Sequence, residues 1–220
     1  TNPALRRENR MQIINFFVGQ INDRRANPRE NDLITDLLAL EVDGQPVPED
    51  YVIGVCNLML VAGVDTTWSA IGSSLWHLAQ HPEHQKQLRD NPDLWPTAIE
   101  EFLRAYAPVT MARIVDRDIE FQGCPMKAGD RVLMTFPAAN RDPRQFERPD
   151  EVILDREHNR HVAFGAGIHR CAGSNLARLE LRVALQTFLE RLPEFRLVDP
   201  TSVTWAGGQV RGPRRCLVSF

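Results

Sequence analysis

Residues 164–173 read FGAGIHRCAG and run straight into SNLARLELRVALQTFLERL, residues 174–192. The second stretch carries apolar residues at helical spacing, which puts Cys171 at the mouth of a helix. Gly165 and Gly167 precede the thiol and Gly173 follows it. The first N–H groups of a helix and its dipole favour the thiolate over the thiol at such a place. Glycines accept positive φ and let a large group approach the backbone. The loop therefore suits a thiolate ligand or nucleophile facing a flat partner. A lone cysteine also reads as a small buried hydrophobe. Three glycines, a Phe and a His in the same ten residues argue against that here.

The remaining cysteines, at 56, 124 and 216, are far apart and form neither a C-x-x-C pair nor a zinc-ribbon spacing. Secreted frameworks pack disulfides more densely, so the expectation is reduced thiols in a cytoplasmic protein. The chain has 220 residues, 43% hydrophobic and 25% charged, enough for one domain or two small ones with a sizeable core. Its 26 Lys and Arg against 29 Asp and Glu give a net charge of −3, which favours neither nucleic acid nor an anionic membrane as partner. The longest apolar run, VIGVCNLMLVAGV (52–64), contains Asn57 and is shorter than the ~20 residues a membrane span needs. The chain opens TNPALRRENR, without an initiator Met or a signal pattern, and reads as beginning inside a longer one.

Periodicity predicts a helix from Pro3 to Arg25 and a short one in LITDLLALE, capped by Asn31 or Asp32. A turn at DGQPVPED leads to a long helix from about Glu49 to Gln80. Pro82 opens PEHQKQLRD, and DLWPTAIEEFLRAYA follows up to Pro108. DIEFQG and DRVLMTF, with KAGD between them, read as a β-pair. Residues 137–163 have no period but carry Phe146, Val152, Ile153 and Leu154, as expected of a meander that is tied down. Short strands and turns fill 193–220. The fold class is mainly α with minor β.

Two further motifs bear on chemistry. AGVDTT (62–67) places Gly63, Asp65 and Thr66 inside the long helix, where they are disfavoured, and predicts a local bulge or groove. Asp65 and Thr66 side by side could relay protons, or form a polar kink with internal hydrogen bonds. Glu101 and Arg104 lie three apart on one helix face and can pair, although E-x-x-R recurs at Glu157 and Arg160.

The long helix with AGVDTT, the E-x-x-R helix, the RDPRQFERPD meander and FGAGIHRCAG come in that order, and in it the chain resembles the heme-thiolate monooxygenases of the cytochrome P-450 family, in their soluble bacterial style. The resemblance covers essentially residues 1–220 as the C-terminal, helix-rich, heme-binding portion of that fold, without its N-terminal half. It implies heme b (iron protoporphyrin IX) as cofactor, with Cys171 as the ligand of the iron. Phe164, Gly165 and Gly173 shape the cofactor-binding loop, and His169 and Arg113 match positions that bind heme propionates. Glu101, Arg104 and Arg156 match a structural network that clamps the meander. Asp65 and Thr66 match a catalytic acid–alcohol pair that delivers protons.

Ala62, Gly63, Val109 and Thr110 match substrate-lining segments, as does the final turn around Val210. The implied partners are O2, a small or medium apolar substrate and a ferredoxin or flavodoxin-type electron donor, with Arg170 near its docking face. Neither a membrane nor nucleic acid is implied. Two functions follow: an oxidoreductase inserting one atom of O2 into that substrate, or a catalytically incompetent fragment, heme-binding or heme-free, that self-associates through exposed core surface. A zinc or thiol enzyme built on Cys171 and His169 is a third, weaker option.

Overall fold

The computed structural model describes residues 2–192 and 194–220, in two compact units, one up to Val64 and one from Asp65. Helices dominate both. In the first unit Asn2 accepts a hydrogen bond from the Ala4 amide, and Pro3 opens α1 (Pro3–Ala26). Asp32, rather than Asn31, caps α2 (Leu33–Leu38): its carboxylate accepts from the Thr35 amide at 2.9 Å. Such a cap contributes about 1 kcal/mol. Arg24, buried on α1, donates to the same carboxylate at 3.2 Å and so ties α1 to the cap. Ile21, Leu37, Val52 and Cys56 form the core of this unit.

The segment read as a turn before the long helix is a hairpin of β1 (Glu41–Val42) and β2 (Gln45–Pro46). Asp43 and Gly44, both at positive φ, close it as two-residue hairpin turns require. Then comes α3 (Glu49–Leu78), 30 residues and about 45 Å long. It runs as unbroken α-helix through 62–67, where the sequence led us to expect a bulge. By length and composition it could cross a membrane, which the count of its uninterrupted apolar run alone did not suggest. Its C-terminal part nevertheless packs as a core helix. Ser69, Ser73, Ser74 and Leu78 are buried, and Ser73 and Ser74 donate to the Ser69 and Ala70 carbonyls at 2.7 and 2.8 Å.

The second unit packs that end of α3 with α4 (Pro82–Asp90), α5 (Trp95–Ala105) and α7 (Ser174–Arg191). Leu78, Leu88, Phe102, Leu181, Leu185 and Phe195 are each nearly or fully buried, which stabilises by about 1.5–3 kcal/mol per side chain. Buried Gln85 donates to the Leu78 and Phe195 carbonyls at 2.7 and 2.8 Å, and Arg89 donates to the Leu189 and Leu192 carbonyls at the end of α7. Between α5 and α7 lie β3 (Met111–Ile114), β4 (Ile119–Phe121), β5 (Cys124–Met126), β6 (Arg131–Met134) and the short α6 (Phe136–Ala139).

The strand pairing differs from the sequence expectation. β4 pairs with β5 across Gln122-Gly123, both at positive φ, and β6 reaches back to β3. KAGD is a turn, but the strand it feeds belongs to the outer pair. The C-terminal segment forms two further antiparallel pairs, β7 (Arg196–Leu197) with β10 (Val218–Ser219) and β8 (Thr204–Ala206) with β9 (Gly212–Arg215). Pro193, where that segment begins, lies outside the described residues. A side chain at Gly212 would overlap Ser69, so only glycine lets β9 lie this close to α3.

Candidate functional site

Helix α5 sets two neighbouring carboxylates to work in different directions. Glu101 and Arg104 are both 0% exposed and joined by two hydrogen bonds of 2.8 Å. Glu101 also accepts from the Arg156 guanidinium at 3.0 Å, the Asn159 amide group at 3.0 Å and the Ile153 backbone N–H at 2.8 Å. Arg104 spends its other N–H groups on the carbonyls of Asn140, Pro149 and Glu151, at 2.7–2.9 Å. Burial alone would raise the Glu101 carboxyl, but the bonds from Arg104, the Ile153 amide and Arg156 outweigh it and hold the group below the usual carboxylate range. One helix turn thus pins six residues of the irregular segment between 140 and 159. The structure brings Glu101, Arg104 and Arg156 together.

Glu100, one residue earlier, faces α7. Its carboxylate accepts from Arg178 at 2.6 and 2.9 Å and pairs with His161 at 3.0 Å. Burial works against its charge, yet His161 and Arg178 bring its pKa down to about 2. The Arg178 guanidinium lies 4.6 Å from the centroid of the Phe164 ring, a cation–π contact. Its own pKa is raised, first by Glu100 and also by the charge of Cys171. Glu100, Arg178, His161, Asn140 and Asn159 went unnoticed in the sequence. Arg178 stood in the quoted LARLE stretch, and the EE pair was the only local hint of Glu100.

The cysteine loop leads into the N-terminus of α7. The Cys171 amide donates to the Phe164 carbonyl at 2.9 Å and the Gly165 amide to Val162 at 2.9 Å, folding the loop back on itself. Gly165 and Gly167 have φ of +70° and +66°, and a 3-10 turn at Gly167–His169 carries His169. Cys171 and His169 are exposed, and Ile168 is 96% exposed. Gly173 caps α7 directly after the thiol. Leu176, Leu179 and Val183 add exposed apolar surface along α7 at i, i+3 and i+7.

The other expected residues are placed as follows. Asp65 opens the second unit and is held by Arg214 at 2.6 and 3.1 Å, which keeps its carboxyl below the ordinary range. Thr66 follows it on α3, half-buried, while Ala62 and Gly63 are exposed in the first unit. Arg113 is exposed on β3 and donates to the neighbouring Ala112 carbonyl at 2.9 Å. Val109 bridges Val210, and the Thr110 amide donates to Gln209 at 2.9 Å, beside an open groove lined by Met111, Ala112, Leu133 and Gly208.

A family model described as cytochrome P-450 matches residues 4–202. The chain belongs to the cytochrome P-450 family. It is 39% identical over 219 residues to a probable cytochrome P-450 127A1 of Sinorhizobium fredii, covering all of this chain and 53% of that protein. It is 40% identical over 199 residues to nocardicin C N-oxygenase of Nocardia uniformis subsp. tsuyamanensis, covering 88% and 50%. Among solved structures, the bacillaene polyketide synthase P-450 PksS of Bacillus subtilis superposes with a TM-score of 0.90 at 36% identity, covering 95% of this chain and 55% of that one. The chain spans about half the length of the curated relatives it matches.

P-450 enzymes carry heme b. The residues present fit it. Among the described residues Cys171 belongs to no group of three His, Cys, Asp or Glu ligands, so it suits iron already held by a macrocycle rather than a bare ion needing three or four protein ligands. The exposed apolar side chains near it suit a flat hydrophobic partner.

Proposed function

We propose that this chain provides the heme-thiolate portion of a P-450 monooxygenase, R–H + O2 + 2e⁻ + 2H⁺ → R–OH + H2O. The observation that carries this reading is the exposed Cys171 thiol at the head of α7, behind a loop closed by the Cys171-to-Phe164 hydrogen bond. Bound there, heme supplies the O2-activating redox chemistry. The chain's own residues orient and protonate. Cys171 would hold the iron, with Arg178 and Phe164 fixing the loop behind it. His169 and Arg113 would hold the propionates by charge-assisted hydrogen bonds. Glu101, Arg104 and Arg156 keep the meander still.

Thr66 positions a proton donor through its hydroxyl. Asp65 passes protons inward from solvent when Arg214 loosens its carboxylate. Val109 and Thr110 line the substrate, a small or medium apolar compound. Exposed Arg170 offers a cation to a ferredoxin or flavodoxin-type donor. Four free cysteines support a reducing, cytoplasmic setting.

The test is incubation of the heme-loaded chain with ferredoxin, its reductase, apolar compounds and isotopically labelled O2. One labelled atom in product, lost in Thr66→Ala with a rise in peroxide, supports the reading. Peroxide alone from the unaltered chain overturns it. A second reading, an incompetent fragment that self-associates, is favoured by the exposed row of Leu58, Met59, Val61 and Val64 on α3. Elution as a monomer would remove it.

A further inference from the structure

Three imidazoles meet at the joint between α3 and α4, and no part of the proposed chemistry uses them. His77 stands on the last turn of α3, His81 at the N-cap of α4 and His84 in its first turn. One ring nitrogen from each lies within 4.8 Å of those of the other two. His77 is 4% exposed, whereas the His81 side chain is 42% exposed.

We propose that His77, His81 and His84 form a site for a zinc-class divalent cation, bound through His77 Nε2, His81 Nε2 and His84 Nδ1, with water as fourth ligand. Hydrogen bonds already orient two of the rings. His77 Nδ1 meets the Tyr106 hydroxyl at 2.7 Å, and His81 Nδ1 meets the Glu83 carboxylate at 2.8 Å. A ligand histidine whose second nitrogen is held by a carboxylate or hydroxyl presents its first nitrogen in a fixed tautomer. All-nitrogen donors select zinc and its neighbours over calcium or magnesium.

The geometry allows the ion. His77 Nε2 and His84 Nδ1 share one hydrogen across 2.8 Å. Two nitrogens on tetrahedral zinc at ~2.0–2.1 Å stand about 3.3 Å apart, so the rings part by roughly half an ångström. The shared hydrogen moves to His84 Nε2, and no net proton leaves. The rings of His77 and His81 stack at 4.2 Å, and binding requires His81 to leave this stack and turn its Nε2 inward. The cation then clips the end of α3 to α4 and, through Tyr106, to the end of α5.

The test is titration of the chelator-treated, heme-loaded chain with Zn²⁺, read by calorimetry, zinc X-ray absorption and thermal melting. The proposal expects one equivalent, a nitrogen shell without sulfur, and a Tm rise of about 5 °C or more at 100-fold excess over Kd. His81→Gln and His84→Gln, at the two less buried positions, should each weaken zinc binding at least 10-fold while the heme spectrum is unchanged. Absence of saturable binding, a sulfur shell that places zinc on a cysteine, or unaltered affinity in both variants would overturn it.

Discussion

Around Glu101 the charged groups are sealed in and paired, while around Cys171 the reactive group and its neighbours face outward. Glu101 and Arg104 are fully buried and bonded to each other, to side chains and to backbone. Cys171, His169 and Ile168 are exposed on a loop held by backbone hydrogen bonds. The contrast separates two duties. The clamp has enough partners within this chain to be a stability element, and the loop leaves its thiol open to solvent, as the proposed ligand role requires. Substitutions in the two regions should therefore fail in different ways.

Glu101→Ala should have the largest effect. It strands Arg104 in the core and costs ~3–5 kcal/mol. Against a total stability of about 5–15 kcal/mol, that is enough to unfold much of the protein, as a urea melt will show. Next comes Glu100→Gln, which trades a charged acceptor for a neutral one and should cost about 1–3 kcal/mol near neutral pH. The pH dependence has a definite sign. The folded-state pKa is lowered to about 2, so this contribution is present above the unfolded value of about 4.3 and is lost as pH falls toward 2. Melts from pH 7 to pH 2 should show a steeper acid loss in the unaltered chain than in Glu100→Gln.

Cys171→Ala should shift the stability of the heme-free chain by no more than about 0.5 kcal/mol, since the side chain is exposed, and leave its circular dichroism unchanged. A large loss there would break the division of duties. Arg214→Ala should have the smallest effect on folding, none that a melt can measure. It should return the Asp65 carboxyl to the ordinary range in an NMR titration, because Arg214 is what lowers it.

The sequence was most legible where function fixes residue types at short spacing. FGAGIHRCAG and E-x-x-R each sit inside one loop or one element, so the pattern and the structure share a length scale. The long helices followed from periodicity and from prolines at their starts. What escaped depends on distance along the chain. Glu100 finds His161 and Arg178, 61 and 78 residues away, and nothing local marks those partners. The strand pairing was misread because Gln122-Gly123 is a weak turn signal beside KAGD, and because the four residues of β3 show no alternation. The bulge expected at 62–67 rested on propensity alone. The helix absorbs that cost, with the Asp65 carboxylate taken by Arg214.

The most direct test of the account is the absorption spectrum of the heme-loaded chain, reduced with dithionite under carbon monoxide, beside its Cys171→Ala variant. The account predicts a red-shifted, thiolate-type Soret band that vanishes in the variant while its fold persists. An imidazole-type band in the unaltered chain, or a thiolate band that survives loss of Cys171, would contradict it.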